Sequence, residues 1–481
     1  MASIRRSLLL SFIERYSVLA ITLVSTMVLA RLLTPGETGL YSVGAALINI
    51  AQTFRDFGVA TYVLQEEDLT RRRLATALGV ALALAAVTAG GFVAAAPLIA
   101  GAFHEPRLQT VVLVMSVNFI GVAFASIGGA RLRRDMNFPA ILRISVAATL
   151  VHAIASVTLA AWGWGAVGMA WASTLSVAAT VAGTALCYPR DTFLPPSLGE
   201  WRRVLGFGVF ACGAQLLNTI GERAADLIVG RVLGFEMAGL YSRGAGLITL
   251  FQQAVMDAAG TVAISAFAQI SRAGQDLRRP FLQFLGYTTA VAWPCLAMMA
   301  VLALPIIRLA FGAQWLPAVP AARILCLGAA FLVLARGAML LFNATGTVRQ
   351  MFRVQCMAVP LAVAALLAGA RFGIEAAAWG AVAGSLAHTA LALAQAARVA
   401  GTAWREIAAA LAKSAVITLA TLAAPLAILH LHGIPEDAPW LPAAAAAVTG
   451  GASWLACLFA IRHPLAAEIL ALLRRSAPVA P

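Results

Sequence analysis

Fourteen apolar stretches, at 8–33, 39–60, 74–96, 109–130, 141–162, 165–187, 204–232, 238–262, 283–308, 319–343, 354–370, 376–397, 411–430 and 442–461, run through this chain from end to end. A bilayer core about 30 Å thick takes roughly 20 helical residues to cross. In lipid each spanning segment must satisfy its own backbone hydrogen bonds, which selects helices for stretches of this length. The chain is 61% hydrophobic and only 11% charged, where soluble domains average about 25% charged. The sequence therefore predicts an all-α, polytopic membrane protein of about fourteen spanning helices, with no room for a sizeable soluble domain. Punctuation such as Thr34-Pro35-Gly36-Glu37 and Pro195-Pro196 separates the helices.

An internal repeat constrains their arrangement. Residues 31–48 and 231–248 align at an offset of 200 without a gap, and ten of eighteen positions are identical, including Gly39/Gly239, Leu40/Leu240, Tyr41/Tyr241 and Ser42/Ser242. Six predicted helices separate the copies, an even number, so both copies cross in the same direction. Parallel repeats related by an axis along the membrane normal are one of the ways in which secondary transporters are built. The expected organisation is a first six-helix lobe at 1–190, a cytoplasmic linker at 191–203, a second six-helix lobe at 204–400, and two additional helices with a short tail at 401–481. Residues 468–475 read as a short interfacial helix.

The formal charge of +14 is almost all arginine. In a soluble protein such a balance suggests nucleic acid. Here the basic residues fall in short loops, so topology and anionic headgroups explain them and no nucleic-acid partner is expected. One set of loops carries 23 of the 34 basic residues and the opposite loops and helix ends carry six. By the positive-inside rule both termini are cytoplasmic. Arg5 and Arg6 precede an apolar run as in a signal peptide, but Glu14 and Arg15 interrupt it, so the segment reads as an uncleaved first helix.

The remaining five arginines, Arg15, Arg55, Arg223, Arg243 and Arg336, lie inside predicted helices with five acids, Glu14, Asp56, Glu222, Asp226 and Asp257. Each such group costs about 2.5–3.5 kcal/mol on insertion scales, so they face a bundle interior or a wet cavity. Polar stripes at helical spacing accompany them: Arg15, Thr22 and Thr26; Asn49, Gln52 and Arg55/Asp56; Gln215, Thr219, Glu222 and Asp226; Arg243 toward Thr249, Gln253 and Asp257; and Ser145, Thr149, His152 and Ser156. One reading is a hydrated cavity between the lobes whose arginines grip an anionic ligand, since a guanidinium fork binds two phosphate oxygens at once. The other is a set of intramembrane ion pairs that holds the helices in register. The interior is formally neutral, so an anionic ligand would have to displace an acid from its arginine or arrive when an acid is protonated, and that exchange offers a route to ion coupling.

No spacing points to a metal, a cofactor or a catalytic group. The six cysteines are isolated and read as small buried apolar residues. His152 and His388 read as packed residues rather than proton relays. Trp162, Trp164, Trp315, Trp404 and Trp440 read as interfacial anchors.

Several stretches resemble one known family. Ala30-Arg31-Leu32-Leu33-Thr34-Pro35-Gly36-Glu37-Thr38-Gly39-Leu40-Tyr41-Ser42 is similar to its first hairpin, and Phe54-Arg55-Asp56-Phe57-Gly58 to the end of its second helix. Leu132-Arg133-Arg134-Asp135-Met136-Asn137-Phe138, Phe311-Gly312-Ala313-Gln314-Trp315-Leu316-Pro317-Ala318-Val319 and Asn343-Ala344-Thr345-Gly346 resemble its loops after helices 4, 9 and 10. The family is the polysaccharide-transporter branch of the multidrug/oligosaccharidyl-lipid/polysaccharide exporter superfamily, in particular oligosaccharide flippases of the colanic-acid-exporter type. The resemblance implies a non-enzymatic carrier in the bacterial inner membrane. Such a carrier moves undecaprenyl-diphosphate-linked oligosaccharide (an O-antigen, capsule or exopolysaccharide repeat unit) to the periplasmic leaflet by alternating access. Its implied partners are that glycan, membrane lipids, and the polymerase and export machinery of the same pathway. In the related lipid II flippases, arginines on helices 1, 2 and 8 bind diphosphate. The resemblance carries this role to Arg15, Arg55 and Arg243 by helix. Arg223 joins them as a candidate, with Glu14, Asp56, Glu222, Asp226 and Asp257 as ion-coupling candidates. Glu222 and Asp226 depart from a simply cationic cavity. A cation-coupled drug antiporter of the same superfamily, with the acids as its primary site, is the alternative. A membrane glycan polymerase or ligase is more remote, because the predicted outer loops are short.

Overall fold

The computed structural model describes residues 2–56, 59, 62–63, 66, 68, 70–192, 194–432 and 440–468, with the side chains of 2–8, 56, 203–212, 214, 258–259, 261 and 432 outside the description. The expected interfacial helix at 468–475 lies almost wholly outside the described residues. Every regular element among them is helical. The chain divides into two compact units, Met1–Ser242 and Arg243–Pro481.

The first unit contains α1 (Ala2–Leu32), α2 (Pro35–Asp56), α3 (Arg71–Phe103), α4 (Pro106–Ser116), α5 (Asn118–Arg134), α6 (Phe138–Ala161), α7 (Gly165–Cys187), α8 (Trp201–Val232) and the start of α9 (Phe235–Phe251). The second holds the rest of α9, a π-helical turn (Gln252–Met256), α10 (Asp257–Arg272), α11 (Arg278–Val301), α12 (Ala303–Ala310) and a 3-10 turn (Ala313–Ala318). It continues through α13 (Val319–Thr345), α14 (Val348–Ala370), α15 (Ile374–Ala400), α16 (Trp404–His432) and α17 (Trp440–Ala460). Among the described residues, eleven helices are long and apolar enough to cross a membrane. Fourteen were expected from the sequence. The long rods outside the eleven are α2, α8 and α9–π-turn–α10, and these carry Arg55, Glu222, Arg223, Asp226, Arg243 and Asp257.

In the first unit the two copies of the repeat meet each other. A Cβ added to Gly39 would overlap the Phe235 carbonyl oxygen, and one added to Gly239 would overlap the Pro35 carbonyl oxygen. The contact is reciprocal at the 200-residue offset, so a local two-fold relates the starts of α2 and α9. Glycine at both positions lets the backbones touch, as small residues do at close helix crossings in membranes. One turn further on, Ser42 Oγ donates to Ser242 Oγ at 3.0 Å. Phe103 and Phe235 pack beside the crossing with ring centroids 6.2 Å apart.

Two polar clamps close the ends of this unit. At the end predicted to lie outside, Glu37 accepts the Ala166 N–H at 2.7 Å and pairs with Arg107, whose Nε also holds Glu105 at 2.9 Å. Glu37 thus caps the N-terminus of α7 from another helix, and Arg107 holds the Glu105 carboxyl below the usual carboxylate range. At the opposite end the expected linker is strapped down. Ser197 N–H donates to the Ala75 carbonyl at 3.1 Å, and Gly79 has no room for a Cβ because the Ser197 carbonyl lies against it. Arg131 reaches Asp135 and Asp191 at 3.3 and 3.4 Å, and Tyr188 donates to Asp135 at 2.6 Å. Burial and the neighbouring Asp135 carboxylate push the Tyr188 phenol up to about 12.

In the second unit Phe281, Leu285, Leu341, Phe342 and Ala392 form a core between α11, α13 and α15. The added helices α16 and α17 dock on α11. Pro294 lies inside α11 and cannot donate to the carbonyl four residues back, that of Ala290. Trp454 Nε1 on α17 donates to that carbonyl at 2.8 Å. Ser414 on α16 bonds the Gly286 carbonyl at 3.2 Å and Thr289 at 2.9 Å, so both helices hold the same turn region of α11. The cysteines depart from expectation: Cys326 is buried, but Cys187, Cys295 and Cys356 are exposed on helix surfaces, where a weakly polar thiol costs little against lipid.

Two outcomes test these contacts. Gly39→Leu is expected to abolish a monodisperse, folded chain, whereas Gly90→Leu, at a glycine with nothing within 4 Å of its missing Cβ, is tolerated; size-exclusion profiles compare them. Trp454→Phe is expected to cost about 1–3 kcal/mol of stability. In a Pro294→Ala background, where the helix satisfies the Ala290 carbonyl itself, that cost falls toward zero in a double-mutant cycle read by thermal unfolding.

Candidate functional site

The charged residues predicted to lie inside the membrane all fall within the helices that the sequence assigned to them, but their partners differ. On α1, Glu14 is half-buried and accepts from Ser145 Oγ of α6 at 2.7 Å, while Arg15 beside it is half-buried. On α2, Asn49 and Thr53 bond the backbone one turn back, and Thr53 Oγ1 also donates to Thr219 Oγ1 of α8 at 3.1 Å. The stripes of α2 and α8 therefore face each other, a pairing that the sequence did not reveal. Arg55 is only 3% exposed and donates to the Phe119 carbonyl of α5 at 3.2 Å. The Asp56 side chain lies outside the described residues.

On α8, Glu222 is exposed and accepts from Asn218 at 3.0 Å. Arg223 and Asp226, three residues apart on the same helix, lie within electrostatic reach of each other, and Asp226 also lies near Tyr241. The Arg223 Nε is buried and has no hydrogen-bond partner among the described residues. A buried, unfilled guanidinium N–H beside a carboxylate is a place where an anion gains a charge-assisted hydrogen bond.

In the second unit Arg243 lies over two aromatic rings, 4.7 Å from the centroid of Trp315 and 5.2 Å from that of Phe311. Its Nε likewise has no partner among the described residues. Trp315, expected as an interfacial anchor, is instead fully buried, whereas Trp162, Trp164, Trp404 and Trp440 are exposed. The physical reason is that the 3-10 turn after Gly312 folds its Trp inward to meet the guanidinium, an attraction worth about 2 kcal/mol when desolvated. The spacing Phe311-x-x-x-Trp315, with one ring just before the turn and one on it, carried that signal.

Arg243 and Asp257 do not share one polar face. In a regular α-helix their fourteen-residue separation would leave them about 40° apart. The π-turn at Gln252–Met256 adds one residue to a turn and opens that angle to about 140°. Asp257 pairs instead with Arg336 of α13 at 3.2 Å. His388 on α15 keeps a buried Nε2 without a partner among the described residues. No group of three or more His, Cys, Asp or Glu among the described residues could hold a metal ion.

With every regular element among the described residues helical and eleven of the helices long and apolar enough to span, the chain is a multi-pass membrane protein. The chain belongs to the family described as polysaccharide biosynthesis protein, whose profile matches residues 28–320. It is 24% identical over 322 residues to the lipopolysaccharide biosynthesis protein WzxC of Escherichia coli (strain K12), covering 66% of this chain and 65% of that one. It is 24% identical over 321 residues to the succinoglycan biosynthesis transport protein ExoT of Rhizobium meliloti (strain 1021), covering 66% and 64%. The chain thus spans just under two thirds of the length of these curated relatives. Among solved structures, it shares its fold with the lipid II flippase MurJ in an inward closed conformation: TM-score 0.75, 12% identity, 95% of this chain and 99% of that one. An inward-facing multidrug resistance transporter of the MATE family matches at TM-score 0.64 and 15% identity, over 81% of this chain and 98% of that one.

If Arg243 and Trp315 form one packing unit, Trp315→Leu lowers the melting temperature of the purified chain. Arg243→Gln then lowers it by less in that background than in the wild type, by about 1–2 kcal/mol of coupling.

Proposed function

We propose that this chain is a flippase for undecaprenyl-diphosphate-linked oligosaccharide, acting by alternating access in the bacterial cytoplasmic membrane with both termini in the cytoplasm. The observation that carries the reading is Arg223, a half-buried arginine in a long helix whose buried Nε–H is unfilled among the described residues, on a fold shared with a lipid II flippase. Family membership and the two relatives named for lipopolysaccharide biosynthesis and succinoglycan transport support it. A carrier needs no catalytic group, no metal and no cofactor. The lobe scheme of 1–190 and 204–400, joined by 191–203 and followed by two added helices at 401–481, belongs to this reading. So do a total of fourteen spans and functional coupling to the polymerase and export machinery of the same pathway.

Arg15, Arg55, Arg223 and Arg243 are the proposed diphosphate contacts, with Arg223 first. Arg55 reaches a ligand only after releasing the Phe119 carbonyl, and Arg243 only after leaving Phe311 and Trp315. Those rearrangements suit a carrier, which must offer its charges in one conformation and withdraw them in another. Glu14, Asp56, Glu222, Asp226 and Asp257 are the proposed ion-coupling acids. Exposed Glu222 favours a second reading, a cation-coupled antiporter of the same superfamily in which the acids bind the transported cation first.

A deletion strain separates these readings. The flippase reading expects lipid-linked repeat units to accumulate on the cytoplasmic side, with rescue by the wild-type gene. Arg223→Ala is expected to lose at least tenfold of the transport rate, since one charged hydrogen bond is worth about 1.5–3 kcal/mol. Increased drug sensitivity without accumulation supports the antiporter. Accumulation of unpolymerised units in the periplasm points to a polymerase.

A further inference from the structure

Arg336 and Asp257 form an ion pair that the packing of the second unit does not explain. Arg336 lies nine residues before the end of α13, about 13 Å along the helix. It is flanked by Ala335 and Gly337, both buried. Its own side chain is 48% exposed and that of Asp257 is 39% exposed. At this depth a charged pair open to lipid would be costly, so the open side of the pair faces water or a ligand. The π-turn directly before Asp257 turns this carboxylate toward α13. Such single-turn π-bulges occur frequently at functional sites.

The geometry is that of a holding contact and not of a strut. A structural Arg–carboxylate pair repays its desolvation when it is two-pronged and its remaining donors are satisfied. Here Arg336 Nη1 makes one contact with Asp257 Oδ1 at 3.2 Å, and its Nε and Nη2 have no hydrogen-bond partner among the described residues. An exposed pair of this kind contributes about 0–1 kcal/mol, little enough for a ligand anion to replace.

We propose that Arg336 is a further anion-binding residue of the carrier. Its guanidinium is held by Asp257 when the carrier is empty, and a phosphate ester group of the substrate takes the place of that carboxylate. This inference rests on the flippase reading and deepens it. Asp257 is a resident competitor: it keeps Arg336 neutralised inside the membrane and favours a multiply charged headgroup over a singly charged one. A diphosphate fork can engage Nε and Nη2 while Nη1 is still paired, so the exchange proceeds without a bare guanidinium in the membrane. Singly charged phospholipid headgroups share the phosphate chemistry but offer less charge to displace the carboxylate.

The test uses the full-length chain in nanodiscs of phosphatidylcholine, with undecaprenyl diphosphate as the probe. A second set of discs contains phosphatidylglycerol as the competing source of phosphate. Arg336→Gln is expected to weaken undecaprenyl diphosphate binding about tenfold. Asp257→Asn is expected to tighten it at least threefold and to let phosphatidylglycerol compete, because the resident carboxylate is gone. Arg336→Gln/Asp257→Asn removes both charges together and is expected to bind like Arg336→Gln, which guards against misfolding around a lone charge. If Asp257→Asn and Arg336→Gln weaken binding equally and the swapped pair Arg336→Asp/Asp257→Arg restores it, the pair is only a strut and the proposal is overturned. Unchanged binding by Arg336→Gln overturns it as well. A wild-type chain that does not bind undecaprenyl diphosphate at all instead overturns the flippase reading.

Discussion

The backbone contact between Gly39 and Gly239 is the constraint from which the first unit is built. Two helix starts touch with no side chain between them, and each presents the same residues to the other at a 200-residue offset. Once that crossing is made, α2 and α8 run side by side, and Ser42–Ser242 and Thr53–Thr219 follow as consequences of register. A bulkier residue at either glycine would part the helices and undo both hydroxyl pairs. The energy of those pairs is modest, about 1 kcal/mol each. What the crossing supplies is position, since in lipid there is no hydrophobic drive to bring two helices together and fit must do it.

Much of the fold was legible because membrane helices announce themselves by length and apolarity. The repeat was legible because it is backbone-driven: Gly39, Leu40, Tyr41 and Ser42 recur with Gly239, Leu240, Tyr241 and Ser242, since both copies serve the same crossing. The candidate site was less legible, for physical reasons that can be named. Helical spacing assumed a uniform turn, and the π-turn at Gln252–Met256 broke it, so Asp257 left the face of Arg243 for Arg336. Trp315 looked like an interfacial anchor because it lies between two spans, yet Arg243 draws it inward. Arg55 fell on the expected helix, but a carbonyl on α5 takes up its guanidinium, and no pattern in a linear chain encodes that.

The interior charges divide by the kind of partner each has found. Glu14, Glu222 and Arg55 are held by neutral hydrogen-bonding groups, Arg243 by aromatic faces, and Arg336 by a carboxylate. Neutral partners and ring faces lower the cost of a buried charge without cancelling it. An anion that approaches Arg243 therefore still finds a positive group. That distinguishes Arg243 from an arginine in a closed salt bridge, whose charge is already neutralised.

The bond from Trp454 to the Ala290 carbonyl has a consequence for biogenesis. Helix α11 enters the membrane with a carbonyl that Pro294 has left open, and the group that closes it is synthesised about 160 residues later. Until α17 arrives, the nascent protein carries a polar defect in a segment otherwise ready for lipid. Arrival of α17 thus removes a blemish made early. A chain that stops short of it would retain a mark that membrane quality-control proteases can read as unfinished.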